Sequence, residues 1–377
     1  MADPVRVLHF TRFINRYDFI DTIIRFADSR RFEMMACTLT ANSTVEPPRY
    51  DDAGIRHWVL DADARPRYPR AVLRLARLLR RERVDVLHTH HFEESVLGAM
   101  AAALARVPMV FGRHYDADFY LVARGAKRRL LLGVEGFANR RARVVVVPSQ
   151  QIRDLLIRQG VPASKVAVVP YGFDFDAARY RPVAPDESAA VRRELGLNGG
   201  LVIGNFGRHH SLKGQDHLVR AFAQLARGTR DARLVMVGDG PAHADLRALA
   251  ASLGVADAVL FTGWRRDAAR FMAAVDVVAH PTLVDAFPQV VIEALLAGKA
   301  LVAADAAGPA DQVQHGRTGL LVPRGDEAAL HAALRWCAEH PEEARRLGEE
   351  GRRWVLDTLD IRRIVPRYEA CYERALG

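Results

Sequence analysis

Two acidic residues in the segment 281–297, Asp285 and Glu293, have seven residues between them. Asp285 precedes a predicted helix and Glu293 lies in its second turn, while Pro288 suits the first turn, where a missing N–H costs nothing. The free N–H groups of a helix N-terminus attract negative charge and hydroxyl oxygens. The pattern therefore predicts a site that binds the hydroxyl groups of a ribose or hexose. An N-cap aspartate followed by an incidental glutamate would give the same pattern.

A second group of charged side chains follows the predicted strand 201–206. Arg208 and Lys213 lie in the loop between Gly207 and Gly214, where a strand ends and a helix begins. Two cations at such a point can hold a diphosphate. Exposed arginine and lysine residues without this function are also common, so the loop alone leaves both interpretations open.

The next predicted strand ends in a tight turn formed by Gly238, Asp239, Gly240 and Pro241. Glycine allows the backbone to approach a ligand closely, and aspartate is also an ordinary turn residue. We therefore predict ligand contacts at Gly207, Gly238 and Gly240, with a binding role and a turn role both open for Asp239.

Hydrophobic periodicity predicts two series in which strands and helices alternate. In the first series, the continuous apolar strands 143–147 and 165–169 are typical of strands covered on both faces. In the second series, the predicted strands are 201–206, 233–237, 258–262, 276–280 and 300–304. Each series predicts a largely parallel sheet with right-handed crossovers.

The chain has 377 residues, which suits two domains of ordinary size. We predict an α/β protein with two facing, doubly wound, Rossmann-like domains and an active site in the cleft between them. Ligands of such sheets bind outside the carboxyl ends of the strands. The predicted domains are 1–175 and 176–357, and a late helix in 358–377 is predicted to join the first domain.

The net charge of +9 lies wholly in the first half of the chain. Residues 1–180 contain 29 Lys and Arg against 20 Asp and Glu, concentrated in 65–83 and 124–143. An anionic membrane, nucleic acid or a solvated arginine-rich face could each explain this excess. Because no helix-turn-helix, zinc-finger or RNP-like motif is present, we expect no nucleic-acid partner. Peripheral contact with an anionic membrane and a merely solvated face both stay open.

The three cysteines, Cys37, Cys337 and Cys371, are far apart and form neither a CxxC nor a zinc pattern. The first ten residues predict a strand and lack the apolar region of a signal peptide. The longest uncharged apolar stretches are too short to cross a bilayer. We therefore expect a cytoplasmic protein with reduced thiols, at most peripheral at the inner face of the membrane.

In their order along the chain, the loops of the second series resemble the family-4 retaining glycosyltransferases with the GT-B fold. The matching residues are Gly207-Arg208, Lys213-Gly214, Gly238 to Pro241, Phe261, Gly263, Asp285 to Pro288, Glu293-Ala294, Gly316 and Gly319-Leu320. The resemblance covers about residues 200–325. It implies transfer of a sugar from a UDP- or GDP-sugar donor to a glycan, lipid-linked or small-molecule acceptor. It also implies retention of anomeric configuration, with no metal or other cofactor.

The resemblance assigns a role to each charged group. Arg208 and Lys213 would neutralise the departing diphosphate, which is the main electrostatic task of such a reaction. Glu293 would bind the ribose hydroxyls of the nucleotide.

Asp285, with the backbone N–H groups of Ala286 and Phe287 before Pro288, would position the donor sugar. The family usually has glutamate where Asp285 stands, so the carboxylate here is one methylene shorter. The sugar contact, and with it the identity of the donor, depends on that exchange.

In the first series the resemblance places a histidine near the donor sugar at His114, after the predicted strand 108–112. His90, His91 and Asp116 are candidates for the acceptor side. His88, His90 and His91 could also suggest a metal site, but the sequence offers no obvious third ligand element, so we expect no metal.

The family's glycine-rich loop after the first strand is absent, and residues 10–16 stand in its place. Asn15 and Arg16 are therefore the candidates for donor contacts from that side.

Three other functions fit parts of the pattern. A metal-dependent GT-A transferase would use an Asp-x-Asp triplet, present at 61–63 and 116–118. A non-catalytic sugar-nucleotide-binding protein would explain Asp285 and the missing glycine loop. An epimerase on the same two-domain fold is the third alternative, although the loops with Arg208 and Lys213 fit a transferase better.

Overall fold

The computed structural model describes residues 3–14, 19–41, 50, 53–115, 125–197 and 199–377. The chain divides into two compact units. Unit 1 comprises Met1–Asp174 and Leu359–Gly377, and unit 2 comprises Phe175–Thr358. This division falls one residue from the predicted domain boundary at 175/176 and places the late helix in unit 1.

The strands, β1 to β13 in chain order, are Val5–Thr11, Phe32–Thr38, His57–Val59, Val86–His90, Met109–Gly112, Val144–Val147, Val166–Val168, Val202–Phe206, Arg233–Val237, Val259–Gly263, Val277–His280, Ala300–Ala304 and Leu320–Val322. The α-helices, α1 to α14, are Phe19–Phe26, Tyr68–Arg81, Phe92–Ala105, Gly125–Arg141, Gln150–Arg158, Pro185–Glu194, Gln215–Gly228, His243–Ser252, Ala268–Ala274, Gln289–Leu296, Ala307–Gln312, Glu327–Glu339, Pro341–Thr358 and Ile361–Leu376.

Among the residues that the structure describes, each unit contains one parallel sheet. The strand order is β3-β2-β1-β4-β5-β6-β7 in unit 1 and β10-β9-β8-β11-β12-β13 in unit 2. The order reverses between β1 and β4 in the first sheet and between β8 and β11 in the second. Those reversal points, at the carboxyl ends of the strands, are where ligands of such sheets bind. The predicted fold of two α/β Rossmann-like domains is confirmed.

Local sequence explains where the elements begin and end. Val144–Val147 is buried along its whole length, as expected for a strand covered on both faces. Ser149 is the N-cap residue of helix α5, and its Oγ accepts a hydrogen bond from the Ile152 N–H at 3.4 Å. Helix α10 ends because Gly298 takes a φ of +67° and its N–H bonds the Leu295 carbonyl.

Helix α14 completes the core of unit 1 although it follows unit 2 in the chain. Ile364, Tyr368 and Tyr372 pack in the same hydrophobic cluster as residues of β1, β4 and β5. Glu369 accepts a hydrogen bond from the Asp28 N–H at 2.8 Å and pairs with Arg31 at 3.0 Å. Helix α14 is thus held in unit 1 by the burial of its apolar side chains and by the hydrogen bond and ion pair of Glu369.

The state of the cysteines and the character of the helices bear on the predicted reduced thiols and on the predicted absence of a membrane-spanning segment. Cys37, Cys337 and Cys371 are buried free thiols, and burial raises the pKa of each. Among the described helices, none combines the length and the apolar composition needed to cross a membrane.

Candidate active site

A pocket opens in unit 2 at the carboxyl ends of β8 and β11, where the strand order reverses. Its volume is about 260 Å³. The lining residues come from the loop after β8, from the end of β11 and from the start of α10: Asn205, Phe206, Gly207, Arg208, Lys213, Gln215, His280, Asp285, Phe287, Pro288, Gln289 and Val290. The fold therefore brings the predicted cations and the predicted carboxylate Asp285 into one cavity.

Lys213 and Asp285 form an ion pair in this pocket, with Nζ 2.6 Å from Oδ2. His280 stands at the end of β11, with Nε2 3.8 Å from the same carboxylate oxygen. Burial alone would raise the pKa of Asp285, but His280 and the Lys213 cation outweigh it and hold the pKa below its ordinary value. Asp285 is therefore ionised at neutral pH, with its charge shared between two neighbours.

Arg208 is exposed at the mouth of the pocket. Within the described part of the chain its guanidinium has no carboxylate partner. Its loop is held from below by Gln215, whose amide donates to the Arg208 carbonyl at 3.2 Å and to Asn205 Oδ1 at 3.2 Å. Asn205 in turn donates to the Ala279 carbonyl of β11 at 2.9 Å. The arginine is thus free to meet an anion while its backbone is fixed.

The start of α10 is also fixed in place. Pro288 is the N-cap residue with an extended φ and ψ, and its carbonyl accepts a hydrogen bond from Gln312 at 3.2 Å. The Gly308 N–H donates to the Asp285 carbonyl at 2.8 Å. A Cβ on Gly308 would lie 2.8 Å from Phe287 Cα. The turn 285–288 and the free N–H groups that follow it are therefore held by close packing against α11.

The predicted glycines Gly238 and Gly240 are needed for the close packing of their own loops. A Cβ on Gly238, where φ is +143°, would lie 1.9 Å from the Gly207 carbonyl oxygen. A Cβ on Gly240, where φ is +155°, would lie 2.4 Å from the His209 carbonyl oxygen. The Asp239 carboxylate accepts a hydrogen bond from the Gly240 N–H at 2.7 Å. These residues bring the loops after β8 and β9 into contact, and Asp239 has the geometry of a turn residue.

Glu293 lies in the second turn of α10, as its spacing from Asp285 predicts. It is half-buried and pairs with Arg179, whose guanidinium nitrogen is 3.4 Å from Oε1. Burial raises the pKa of this carboxyl, and Arg179 opposes that shift. Glu293 does not line the 260 Å³ pocket, so the structure separates the two acidic residues into neighbouring environments.

In unit 1, the histidines predicted from the sequence occupy different environments at the carboxyl ends of β4 and β5. His90 is fully buried, and its two ring nitrogens bond His9 at 3.0 Å and His114 at 2.9 Å. The other ring nitrogen of His114 lies 3.1 Å from the Tyr171 hydroxyl. His91 is exposed, with φ +64° and ψ −175°, a backbone region that is strained for any residue except glycine.

Two clusters hold enough ligand atoms for a metal among the described residues. One is His9, His88 and His90, whose ligand atoms lie within 4.8 Å of one another. The sequence offered no obvious third ligand element beside His88, His90 and His91, and in the structure His9 of β1 lies close enough to be one. The His9 and His90 rings, however, are nearly coplanar, 15° apart, and their bonded nitrogens face each other. That is hydrogen-bond geometry, whereas chelation needs lone pairs that converge on one point.

The other cluster is His209, Asp239 and His243. His209 Nδ1 and His243 Nδ1 are 3.0 Å apart and their ring planes differ by 21°. This pair has the same facing arrangement, and Asp239 lies 3.5 Å from His243 Nδ1. The arrangement is again that of a hydrogen-bonded pair.

Three predicted site residues, Asn15, Arg16 and Asp116, lie outside the described residues and stay predictions.

Sequence reasoning missed three side chains that build the site. Asn205 and Gln215 support the loop of Arg208, and His280 stands beside Asp285. A signal was present for two of them: Asn205 and His280 are polar residues at the ends of otherwise apolar strands. Gln215 carried no comparable signal.

The chain matches two family descriptions. Residues 27–172 match the glycosyl transferase 4-like domain and residues 188–354 match the glycosyl transferases group 1. Together they cover most of both units.

Several curated proteins are similar in sequence. A 2-deoxystreptamine glucosyltransferase of Streptomyces kanamyceticus is 30% identical over 81% of this chain and 82% of its own length. A GDP-mannose-dependent alpha-(1-6)-phosphatidylinositol monomannoside mannosyltransferase of Mycolicibacterium smegmatis is 30% identical over 71% of this chain and 69% of its own. A D-inositol 3-phosphate glycosyltransferase of Nocardia farcinica is 34% identical over 70% of this chain, which spans 61% of that relative.

Solved structures share the fold over nearly the whole chain. Anabaena HepE in complex with UDP superposes with a TM-score of 0.81 at 23% identity, covering 98% of this chain and 100% of that one. Sucrose-phosphate synthase from Thermosynechococcus elongatus gives a TM-score of 0.78 at 20% identity, covering 98% of each chain. With these matches beside the site geometry, the chain belongs to the group 1, or family-4, glycosyltransferases of the GT-B fold.

Proposed function

We propose that this glycosyltransferase moves a sugar from a UDP- or GDP-sugar with retention of anomeric configuration and without a metal ion. The observation that carries the proposal is the 260 Å³ pocket that joins Arg208, Lys213 and Asp285 to the start of α10. It offers two cations and the N–H groups of a helix terminus to an anion, with one carboxylate beside them.

The positive charges that line this pocket would stabilise the diphosphate of a nucleotide sugar. A diphosphate leaving group gains negative charge as the glycosidic bond breaks, and fixed cations stabilise it most in a partly dehydrated site. Arg208 has no competing carboxylate among the described residues, so its guanidinium can bind a phosphate with two parallel hydrogen bonds. Lys213 supplies a point charge 2.6 Å from Asp285, which keeps the cation in place before the donor arrives.

The two carboxylates are proposed to bind different sugars of the donor. Asp285, ionised beside Lys213, is proposed to accept hydrogen bonds from hydroxyls of the transferred sugar. Glu293 is proposed to bind the ribose hydroxyls, exchanging its 3.4 Å contact with Arg179 for them. The family resemblance gives His114 a contact to the transferred sugar. We retain that assignment within the proposal, with His114 Nδ1 exchanging its 3.1 Å contact with the Tyr171 hydroxyl for a hydroxyl of the sugar.

The relatives suggest a class of acceptor. Their names specify 2-deoxystreptamine, phosphatidylinositol monomannoside and D-inositol 3-phosphate. These compounds share a six-membered carbocycle that carries several hydroxyl or amino groups. We propose an acceptor with such a cyclitol ring, free or attached to a lipid.

Sugar transfer from labelled donors to a panel of cyclitol acceptors tests the proposal. Arg208→Ala and Lys213→Ala should each reduce kcat by about 10²–10³-fold, as for the loss of one oxyanion donor. Arg230→Ala is the matched control, because it removes an exposed arginine from the loop before β9, at the opposite edge of the sheet. Wild-type turnover in both pocket variants would refute the assignment of Arg208 and Lys213 to the diphosphate.

Three further measurements test the finer parts of the proposal separately. The anomeric configuration of the product, determined by NMR, should equal that of the donor. Turnover should be unchanged after treatment with EDTA, and activity that disappears with EDTA and returns with Mn²⁺ or Mg²⁺ would refute metal independence. Thermal stabilisation by UDP or by GDP should identify the base, because ligand binding stabilises the folded state by mass action.

We further propose that unit 1 contacts an anionic membrane surface through a basic helical face, the exposed side of α2, α3 and α4. Five large apolar side chains are exposed there, including Leu130 at 66% and Leu104 at 48%. Exposed basic residues on the same helices are Arg70, Arg74, Arg77, Arg80, Arg81, Lys127, Arg128, Arg129 and Arg140. Cations near an anionic surface contribute about 1 kcal/mol each, and apolar side chains between them add burial.

Co-sedimentation with vesicles tests this contact. At low salt the protein should bind vesicles that contain phosphatidylserine and should not bind pure phosphatidylcholine vesicles. The double change Arg128→Glu and Arg129→Glu should weaken binding at least about 30-fold, by the same estimate per charge. The same charge change at Arg352 and Arg353 of unit 2 is the control. Equal binding to both kinds of vesicle would refute the electrostatic contact.

A further inference from the structure

Six side chains of unit 1 form one continuous series of hydrogen bonds, here named the histidine chain. In order its members are His88, Tyr372, His9, His90, His114 and Tyr171. The successive distances are 3.0, 3.2, 3.0, 2.9 and 3.1 Å. The series connects Tyr372 of helix α14 to His114, the histidine that the family resemblance places beside the sugar.

The three central imidazoles are aligned for strong hydrogen bonds. The His9 and His90 rings have centroids 5.2 Å apart and planes 15° apart, with bonded nitrogens at 3.0 Å. For His90 and His114 the values are 5.1 Å, 19° and 2.9 Å. Each distance between ring centroids exceeds the corresponding N···N distance by about twice the radius of an imidazole ring. The two bonded nitrogens therefore lie close to the line that joins the two ring centres. The donor hydrogen therefore points along the line between the two rings, as a good hydrogen bond requires.

Burial keeps these rings uncharged. Desolvation lowers the pKa of His9 to about 3 and, together with neighbouring imidazoles, holds the pKa of His88, His90 and His114 well below its ordinary value. A neutral imidazole has one N–H donor and one acceptor nitrogen. A series of neutral rings must therefore donate in a single direction along its whole length.

The unpaired end of the histidine chain selects that direction. His88 Nε2 is buried and has no hydrogen-bond partner. A buried acceptor without a partner is less costly than a buried N–H without one, so the His88 proton lies on Nδ1 and is donated to Tyr372. The Tyr372 hydroxyl must then donate to His9 Nε2, and each following ring donates from Nδ1.

We propose that Tyr372, His88, His9 and His90 are positioning residues that fix His114 in one orientation with its proton on Nδ1. His114 Nε2 then accepts from His90, and Nδ1–H donates to Tyr171. The consequence for activity rests on the function proposed above, whereas the protonation pattern does not.

The surroundings of His114 agree with a positioning role. The Phe19 ring packs against His114 and Tyr171, with centroids 4.4 and 4.2 Å away. A Cβ on Gly112 would lie 2.5 Å from His114 Nε2 and 3.1 Å from His88 Nε2. Packing thus leaves room for the imidazoles and for nothing larger, so the ring of His114 is held on several sides.

The protonation pattern can be measured directly. Long-range ¹H–¹⁵N spectra of protein labelled at histidine distinguish a proton on Nδ1 from one on Nε2. In the wild-type protein His88, His9, His90 and His114 should all carry the proton on Nδ1. Protons on Nε2 in these rings, or a mixture of the two forms, would overturn the proposal whether or not the enzyme turns over.

A matched pair of tyrosine variants tests transmission along the histidine chain. Tyr372→Phe removes the hydroxyl that donates to His9, while Tyr368→Phe, one turn away on α14, removes a buried hydroxyl that has no hydrogen-bond partner. Because linked hydrogen bonds strengthen one another by about 10–30% per bond, Tyr372→Phe should move the Nδ1 proton signals of His9, His90 and His114 upfield, by successively smaller amounts. Tyr368→Phe should leave them in place.

Kinetics supply the functional arm. Tyr372→Phe should lower kcat several-fold with the KM for the donor unchanged, and Tyr368→Phe should not. A His114 signal that is identical in wild type and Tyr372→Phe would show that His114 is set by its immediate neighbours alone. If the signals shift and kcat does not, the histidine chain exists and the role given to His114 in the reaction is wrong.

Discussion

Mild acid should destabilise unit 1 strongly, because its buried histidines are neutral when folded. Burial lowers the pKa of His9 to about 3. Burial and neighbouring imidazoles, including His91, hold the pKa of His88, His90 and His114 well below 6.5. In the unfolded chain each group regains a pKa of about 6.5. Below that pH the unfolded chain binds more protons than the folded one.

The size of the effect follows from proton linkage. The stabilisation is complete above pH 6.5 and is lost as the pH falls toward the lowered pKa of the folded protein. For one such histidine, a change from pH 7.5 to pH 5.5 lowers the free energy of unfolding by about 1.4 kcal/mol. Four of them lower it by about 5 kcal/mol, which is comparable to the whole stability of a domain at about 5–15 kcal/mol.

Urea denaturation at both pH values measures this change. Trp58 lies in β3 of unit 1, and Trp336 lies in α12 of unit 2. Proteins that keep only one of the two, with the remaining tryptophans replaced by phenylalanine, report each unit separately. The Trp58 protein should lose about 5 kcal/mol on acidification. The Trp336 protein should lose much less, since in unit 2 the described residues include one histidine with a lowered pKa, His209.

Two variants sharpen the test. His88→Asn keeps a polar group near the position of Nδ1 and removes one titrating group. The number of protons that unit 1 takes up on unfolding in acid should therefore fall by one. His340→Gln changes an exposed histidine of unit 2 and serves as the control for unit 1. Equal unfolding free energies of unit 1 at pH 7.5 and 5.5 would refute the reasoning, since buried neutral imidazoles cannot be insensitive to pH in this range.

Three further predictions concern unit 2. Asp285→Asn removes the charge 2.6 Å from Lys213 and should lower kcat about 100-fold while nucleotide affinity, measured by calorimetry, is kept. His280→Leu removes a group that lowers the pKa of Asp285, so the acid limb of the pH–rate profile should move to higher pH; an unmoved limb would contradict the contact. Gly238→Ala forces a Cβ to within 1.9 Å of a carbonyl oxygen at φ +143° and should cost more than about 3 kcal/mol in urea denaturation. Gly263→Ala, at φ +71° with open space, should cost about 1 kcal/mol.

The sequence predicted the fold and the order of the elements because both depend on local patterns. The apolar strand at Val144–Val147 and the helix that begins at Gln289 followed from hydrophobic periodicity and from Pro288. Helix α4 at Gly125–Arg141 was not predicted, since its exposed face is crowded with arginines and its apolar residues do not form a clear stripe.

Partnerships between distant residues could not be predicted in the same way. The ion pair of Lys213 and Asp285 joins positions 72 residues apart, and the sequence assigned the two side chains to different parts of the donor. His9 looked like one more residue of an apolar strand. Only the register of β1 against β4, which places His9 opposite His88, brings it into the histidine chain.

The route of the chain through the two units has a consequence for synthesis. Unit 2 is one continuous segment, Phe175–Thr358, whereas unit 1 needs Leu359–Gly377 to close its core. At about 5–20 residues per second, a ribosome needs roughly 10–40 s to pass from the last strand of unit 1 to helix α14. During that interval the apolar surface that Ile364, Tyr368 and Tyr372 will cover stays open. Unit 2 can therefore finish folding before unit 1 has closed its core.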